Sequence, residues 1–221
     1  QPICNKWSAQ LQAPVTVVHD GVPVKDYYVD NNTVHETVKV LLYGRVVPGK
    51  GQLFYVQAAE NILRNTSKPC TFYFAGKVED EEYFNSCMQS IRQSGQENSI
   101  KYLGQISDIQ NLLRDTDIVC VCSTKEGFGR VTVESMLGKC LVVGAASGAT
   151  TELIQDGVNG ILYQPDDEAD FCKKLTACIE QFDKYAGVVE NGQKYALSHF
   201  TDEKNTEGIL LVYKNIAERI R

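Results

Sequence analysis

The sequence predicts an α/β fold: a doubly wound parallel sheet followed by C-terminal helices. Two observations carry this. Short apolar, β-rich runs alternate along the chain with longer segments of helical periodicity, the pattern of repeated strand–helix crossovers. The runs are also apolar throughout rather than alternating, as in "VKVLLYG" (38–44), "CTFYFAG" (70–76), "IVCVCS" (118–123) and "CLVVGAA" (140–146). Strands buried on both faces read this way, and helices must cover them.

The elements follow in order. "APVTVVHDGV" (13–22) reads as a strand running into a turn at Asp20-Gly21, and 25–36 as a polar loop. After strand 38–44, residues 52–65 place Leu53, Val56, Ala59, Ile62 and Leu63 at helical spacing. Strand 70–76 precedes a helix over 79–95 with an acidic first turn, which suits the helix dipole, and Gly95 as its stop. "IKYLG" (100–104) is a strand and 107–117 a short helix. Strand 118–123 leads to a helix over 129–137, and strand 140–146 to a helix over 149–157. "NGILYQP" (159–165) is the last strand. The rest is helical over 168–183, about 187–198 and about 202–220, with Thr201 or Asp202 as the N-cap of the last helix.

Composition bounds the function. The 221 residues carry 22 basic and 28 acidic side chains, a net charge of −6, which argues against a broad nucleic-acid surface. No apolar run approaches the roughly 20 residues of a membrane span. The chain begins at Gln1 without a signal-peptide pattern, so a piece of a larger protein is expected. Its eight cysteines show no C-x-x-C spacing and read as small core hydrophobes of a reducing compartment.

Ligands in open parallel sheets bind beyond the carboxyl ends of the strands. After the first of these strands, "GRVVPGKG" (44–51) sets Arg45 and Lys50 beside a helix start. That is either an anion site or a solvated turn. After 100–104, Gly104 leaves room for a flat base against the backbone of Gln105 or Ile106, or is a plain loop glycine. After 118–123 comes "STKEGFGRVTVESMLGK" (123–139). Gly127 and Gly129 allow close backbone approach, and the amides of Arg130, Val131 and Thr132 have no partner within the helix. Glu126 and Glu134 lie too far apart to share a proton, and both suit sugar hydroxyls; otherwise they are a loop residue and a surface glutamate. Neither a G-x-x-x-x-G-K-[ST] loop nor a G-x-G-x-x-G turn is present.

Together, "HDGV", "GRVVPGKG", "YLGQISD", "STKEGFGRVTVESMLGKCLVVG" and "SGATTELIQDGVNGILY" resemble the C-terminal, nucleotide-sugar-binding domain of family-four glycosyltransferases, retaining enzymes of the GT-B type. The E-x7-E pair of Glu126 and Glu134 is the most specific element. The resemblance implies a Rossmann-like donor domain over 38–200, with 1–37 a linker and incoming strand from a missing N-terminal domain. Helix 201–221 would pack toward that domain. It implies a donor nucleoside-diphosphate sugar, by default a UDP-sugar, and an acceptor glycan or lipid, with no metal and no tightly bound cofactor. Arg45 and Lys50 would hold the diphosphate and support the leaving group, which itself assists front-face transfer. Glu126 and the loop Gly127, Phe128, Gly129 would face the sugar, and Glu134 the ribose. The amides of Val131 and Thr132 would meet the phosphates, and Gly104, Gln105 and Ile106 the base. A fragment of this kind would bind donor without transferring sugar alone. The expected location is the cytoplasm, including peripheral association with the inner membrane face through the missing domain. Alternatives are another GT-B enzyme, such as an epimerase or phosphorylase, or a non-catalytic nucleotide-sensing module. The chain departs from the family pattern at Lys139-Cys140, at Arg130, where an aliphatic residue is common, and at Gly148-Ala149.

Overall fold

A computed structural model describes residues 10–11, 15–32 and 36–220. Six strands form one parallel sheet: β1 (Val38–Tyr43), β2 (Cys70–Ala75), β3 (Ile100–Tyr102), β4 (Ile118–Val121), β5 (Leu141–Ala145) and β6 (Ile161–Tyr163). Their order across the sheet is β3-β2-β1-β4-β5-β6. The chain winds outward in one direction from β1, then returns to β1's other side and winds outward again. The switch point therefore lies between β1 and β4, where Val40 pairs with Ile118 and Leu41 with Val119.

Nine helices lie among the described residues: α1 (Val24–Tyr27), α2 (Gln52–Asn65), α3 (Glu81–Ser94), α4 (Ile109–Arg114), α5 (Arg130–Leu137), α6 (Thr150–Leu153), α7 (Glu168–Glu180), α8 (Ala186–His199) and α9 (Asp202–Ile220). On one face of the sheet Tyr55, Ile62, Ile91, Phe171 and Leu175 of α2, α3 and α7 pack on Val40, Phe72, Phe74 and Cys120. On the other face, α5, α6 and α8 build a second cluster around Met136, Leu137, Leu153 and Ala196. A third joins Leu113 of α4 to Leu41, Val119 and Cys140. Strands covered on both faces explain the uninterrupted apolar runs. Six of the seven described cysteines are buried and all seven are unpaired; Cys4 lies outside the described residues.

Three helices start on an aspartate whose carboxylate accepts an amide of the first turn: Asp80 from Tyr83 at 2.9 Å, Asp108 from Asn111 at 3.0 Å, and Asp167 from Asp170 at 2.9 Å. The helices after β1 and β4 differ. Both α2 and α5 start on left-handed glycines, Gly51 (φ 75°) and Gly129 (φ 87°), without a side-chain cap. In the first turn of α2 the Leu53 amide donates to Tyr83 Oη at 2.8 Å, whereas among the described residues no side chain accepts from the first-turn amides of α5.

Four expectations are corrected. Residues 15–21 form no strand, and Val22 makes a single bridge to Thr201; residues 13–14 lie outside the described residues. Without a neighbouring strand, β-propensity in this segment has nothing to pair with. The expected loop 25–36 contains α1, and residues 33–35 lie outside the description. The helix expected over 149–157 is the single turn α6, which Asn159 ends by accepting the Gln155 amide at 2.7 Å and donating to Leu153 O at 3.0 Å. Helix 168–183 stops at Glu180 and continues as a 3-10 turn, Phe182–Tyr185. Thr201 caps α9, its hydroxyl accepting the Lys204 amide at 3.3 Å.

The incoming and outgoing segments are laced together. The Val22 amide donates to Phe200 O at 2.8 Å, and Asn205 Nδ2 donates to His19 O at 2.6 Å. Beyond this point α9 exposes Ile209, Leu210, Leu211, Tyr213 and Ile216. Among the described residues no helix is long and apolar enough to cross a membrane.

Candidate functional site

The site is built at the switch point from the loops after β1 and β4. A 3-10 turn, Pro48–Lys50, carries Lys50 over the end of β1. Lys50 Nζ meets Glu126 Oε1 at 2.5 Å, and the two side chains retain only 25% and 11% of their exposure. Both loops are pressed into place by glycines. A Cβ on Gly51 would lie 2.6 Å from Cys122 O, and one on Gly148 (φ 53°) 2.8 Å from Glu126 O. The Ala149 amide also donates to Glu126 O at 3.2 Å. Glu126 is thus held through its backbone by the β5–α6 turn and through its carboxylate by Lys50. Tyr43, Ser123 and Val131 line the same recess as this pair.

Glu134 lies one turn into α5, below the recess. It is buried, with Oε1 3.3 Å from Arg130 Nε and Oε2 accepting from Tyr43 Oη at 3.2 Å. Tyr43 is buried at the end of β1, and its hydroxyl also lies 3.3 Å from Ser135 Oγ. Burial, then the charge of Glu134, push the Tyr43 phenol well above its ordinary value, so it remains a protonated donor. Tyr27 of α1 lies against both Glu134 and Arg130. Its own phenol is raised by burial and then by Glu134.

The other expected residues are distributed as follows. Arg45 stands 64% exposed and pairs with Glu79 at 3.0 Å, so Arg45 and Lys50 take different partners. Gln52 Nε2 donates to Arg45 O at 2.8 Å and fixes that loop. Gly104 (φ 77°) accepts the Gly76 amide at 2.8 Å. Gly76 in turn lies against Gly44, so the ends of β1, β2 and β3 form a terrace of glycines. Gln105 is exposed beside it, while Ile106 packs in the same cluster as Val131 and Tyr43. Gly127 is exposed and Gly129 buried. The Phe128 ring points back into the protein, 6.1 Å from His19 and 5.8 Å from Phe200. One expectation about the helix start is corrected: the Thr132 amide donates to Gly129 O at 2.9 Å. Among the described residues, only the amides of Arg130 and Val131 are left without an acceptor there.

Tyr27 and Tyr43 were not expected at the site, and Arg130 was expected there through its backbone amide and as a departure from the family pattern, not through its side chain. The one sequence signal for Tyr43 is a phenol at the end of an otherwise apolar strand. A groove of about 810 Å³ lies elsewhere, between α1, α4 and the start of α9, and none of the expected site residues lines it. Among the described residues, no cluster of three or more His, Cys, Asp or Glu side chains is arranged to hold a metal.

A doubly wound sheet whose switch-point loops are joined by the Lys50–Glu126 pair defines a Rossmann-like unit. The comparisons give the family. The model described as "Glycosyl transferases group 1" matches residues 25–195, more than half of the chain, and the chain belongs to that family. It is 25% identical over 216 residues to a lipopolysaccharide core biosynthesis mannosyltransferase of Rhizobium leguminosarum, covering 93% of this chain and 61% of that protein. Among solved structures it resembles Anabaena HepE in complex with UDP and glucose. That match has a TM-score of 0.79 and 27% identity over 92% of this chain and 57% of that one. It also resembles the C-terminal domain of a group 1 glycosyl transferase from Francisella tularensis, with a TM-score of 0.73 and 25% identity. There it covers 82% of this chain and 100% of that one. The fold is therefore that of a GT-B glycosyltransferase C-terminal domain. The chain spans about half the length of the curated relatives it matches.

Proposed function

We propose that this chain is the donor-binding half of a retaining glycosyltransferase that uses a nucleoside-diphosphate sugar, with UDP as the nucleotide. The observation that carries the reading is the Lys50–Glu126 pair across the switch point, beside the uncapped start of α5. Lys50, Arg45 and the free amides of Arg130 and Val131 supply positive potential for a diphosphate. As the glycosidic bond breaks, they stabilise the charge that develops on the leaving phosphate. Glu126 then exchanges Lys50 for hydroxyls of the donor sugar, cradled by Gly127–Gly129, and Glu134 accepts from the ribose. The base lies on the Gly104–Ile106 terrace. UDP in the HepE complexes supports the choice of nucleotide. The group 1 family match favours this reading over an epimerase or a sensing module.

The acceptor, a glycan or lipid, is assigned to a partner half that residues 1–37 join and α9 meets. The exposed apolar residues of α9 support that assignment. The complete protein would then work in the cytoplasm, at the inner face of the membrane where its acceptor is a lipid.

A thermal-shift panel tests the reading. At a hundredfold excess over its Kd, UDP should stabilise the chain by about 2.7 kcal/mol, which raises Tm by roughly 5–10 °C for a domain of this size. ADP and GDP should do less. No greater shift with any nucleoside diphosphate than with pyrophosphate would remove the assignment.

A further inference from the structure

This inference deepens the donor-site reading and rests on Arg45 being a ligand of the diphosphate. Each of the two cations in the loop after β1 is held by a carboxylate from another loop. Lys50 meets Glu126 of the loop after β4, with only 25% and 11% of the two side chains exposed. Arg45 Nη1 donates to Glu79 Oε2 of the loop after β2 at 3.0 Å, and there 64% and 31% are exposed. The second pair is the open one, and an exposed ion pair is weak.

Backbone bonds bring Arg45 and Glu79 together, so the pair is more than a chance meeting of two long side chains. The Val46 amide donates to Lys77 O at 2.8 Å, and the Glu79 amide donates to Val46 O at 3.3 Å. Buried Gln52 holds the same loop through its Nε2, which donates to Arg45 O at 2.8 Å. The main chain of Arg45 is thus tied on both sides of the residue. What is left to move is the half-open guanidinium. Left unpaired in the empty site, Arg45 and Lys50 would be two like charges in one short loop. A diphosphate offers the guanidinium a bidentate, charge-assisted partner stronger than an exposed carboxylate.

We propose that Glu79 is a releasable counter-ion: it holds Arg45 in the empty site and gives it up to an arriving diphosphate. Each binding event must first part the pair, so Glu79 weakens diphosphate binding by what the pair is worth. Once the sugar has been transferred, the same carboxylate reclaims Arg45 and favours departure of the nucleoside diphosphate. The effect falls on the phosphates and leaves the nucleoside end alone.

The test is calorimetric titration of the chain with UDP, inorganic pyrophosphate and uridine. Glu79→Gln should bind UDP and pyrophosphate about threefold more tightly, within the range of an exposed ion pair, with uridine unchanged. Arg45→Met should bind both phosphate ligands about tenfold more weakly. Adding Glu79→Gln to Arg45→Met should then change nothing, because the pair is already gone. Glu82→Gln is the control: it removes an equal charge from the exposed first turn of α3 and should have less than half the effect of Glu79→Gln. Unchanged or weaker pyrophosphate binding in Glu79→Gln would overturn the proposal, the weaker case making Glu79 a support that presents Arg45 to the phosphates. A gain that persists without Arg45, or that Glu82→Gln matches, would also overturn it, leaving only the field of one lost charge. Arg45→Met without loss of pyrophosphate affinity would strike the Arg45 assignment beneath the proposal, and no UDP binding by the unaltered chain would strike the donor site as a whole.

Discussion

Replacing Lys50 by Met removes one charge and keeps most of the side-chain stem. At 2.5 Å and an effective dielectric of about 20, the Lys50–Glu126 pair has a gross attraction of ~7 kcal/mol. Only 25% and 11% of the two side chains are exposed, so desolvation offsets most of that gain. What counts is the state left behind. Glu126 would keep its backbone bond from Ala149 but lose the donor to its carboxylate. A charged hydrogen bond lost from a half-buried site costs about 2 kcal/mol. For a domain of this size that lowers Tm by roughly 4–8 °C. Adding Glu126→Gln removes the stranded charge, and the double variant should recover at least half of the loss. In both proteins UDP should bind at least about tenfold more weakly, while uridine affinity changes by less than about twofold. Differential scanning fluorimetry and calorimetry read the two effects separately. A Tm within about 1 °C of the unaltered protein would refute the pairing argument. Equal losses for UDP and uridine would refute the placement of Lys50 at the phosphates.

Two further predictions concern the scaffold. A Cβ on Gly76 (φ 142°) would sit 1.8 Å from Gly44 O, whereas one on Gly95 (φ 70°) meets nothing within 4 Å. Gly76→Ala should therefore cost upward of ~3 kcal/mol in urea melts and Gly95→Ala about 1 kcal/mol; similar costs would defeat the steric account. Burial pushes the thiols of Cys70, Cys87, Cys172 and Cys178 up to about 11 and that of Cys122 up to about 12, from the usual 9.0. Above pH 9 the unfolded chain releases these protons while the folded one retains them, so the stability they contribute is whole below pH 9. It is lost as pH rises toward 11. The urea midpoint should fall between pH 8 and about 10.5, and a flat profile would contradict the buried placement of these thiols.

The sheet was legible because each strand is apolar on both faces and each helix repeats its apolar residues at helical spacing. Helix 52–65 matches its expected bounds, and Gly95 stops α3 in the left-handed conformation. The segment at 15–22 was misread because Val15, Val17 and Val18 look like a strand whatever stands beside them. Val17 is in fact half exposed, and the segment is held by α9 rather than by a neighbouring strand. The loops of the site were legible from glycines and charges following strands. Their partners were not. Tyr43 and Glu134 are 91 residues apart and meet only after β4 has been laid beside β1. The pairing of Arg45 with Glu79 likewise depends on how the loop after β1 lies against the loop after β2, where Val46 bridges Val78.

His19 and Phe200 belong to the two strands of chain that cross beside Gly21, and both rings touch Phe128. The crossing is therefore a two-ply pivot with a loop of the candidate site wedged against it. Prising the plies apart would strip Phe128 of its packing and slacken the tether between Gly127 and Gly129. Any lever attached through residues 15–22 and α9 would pull on that wedge from both sides at once.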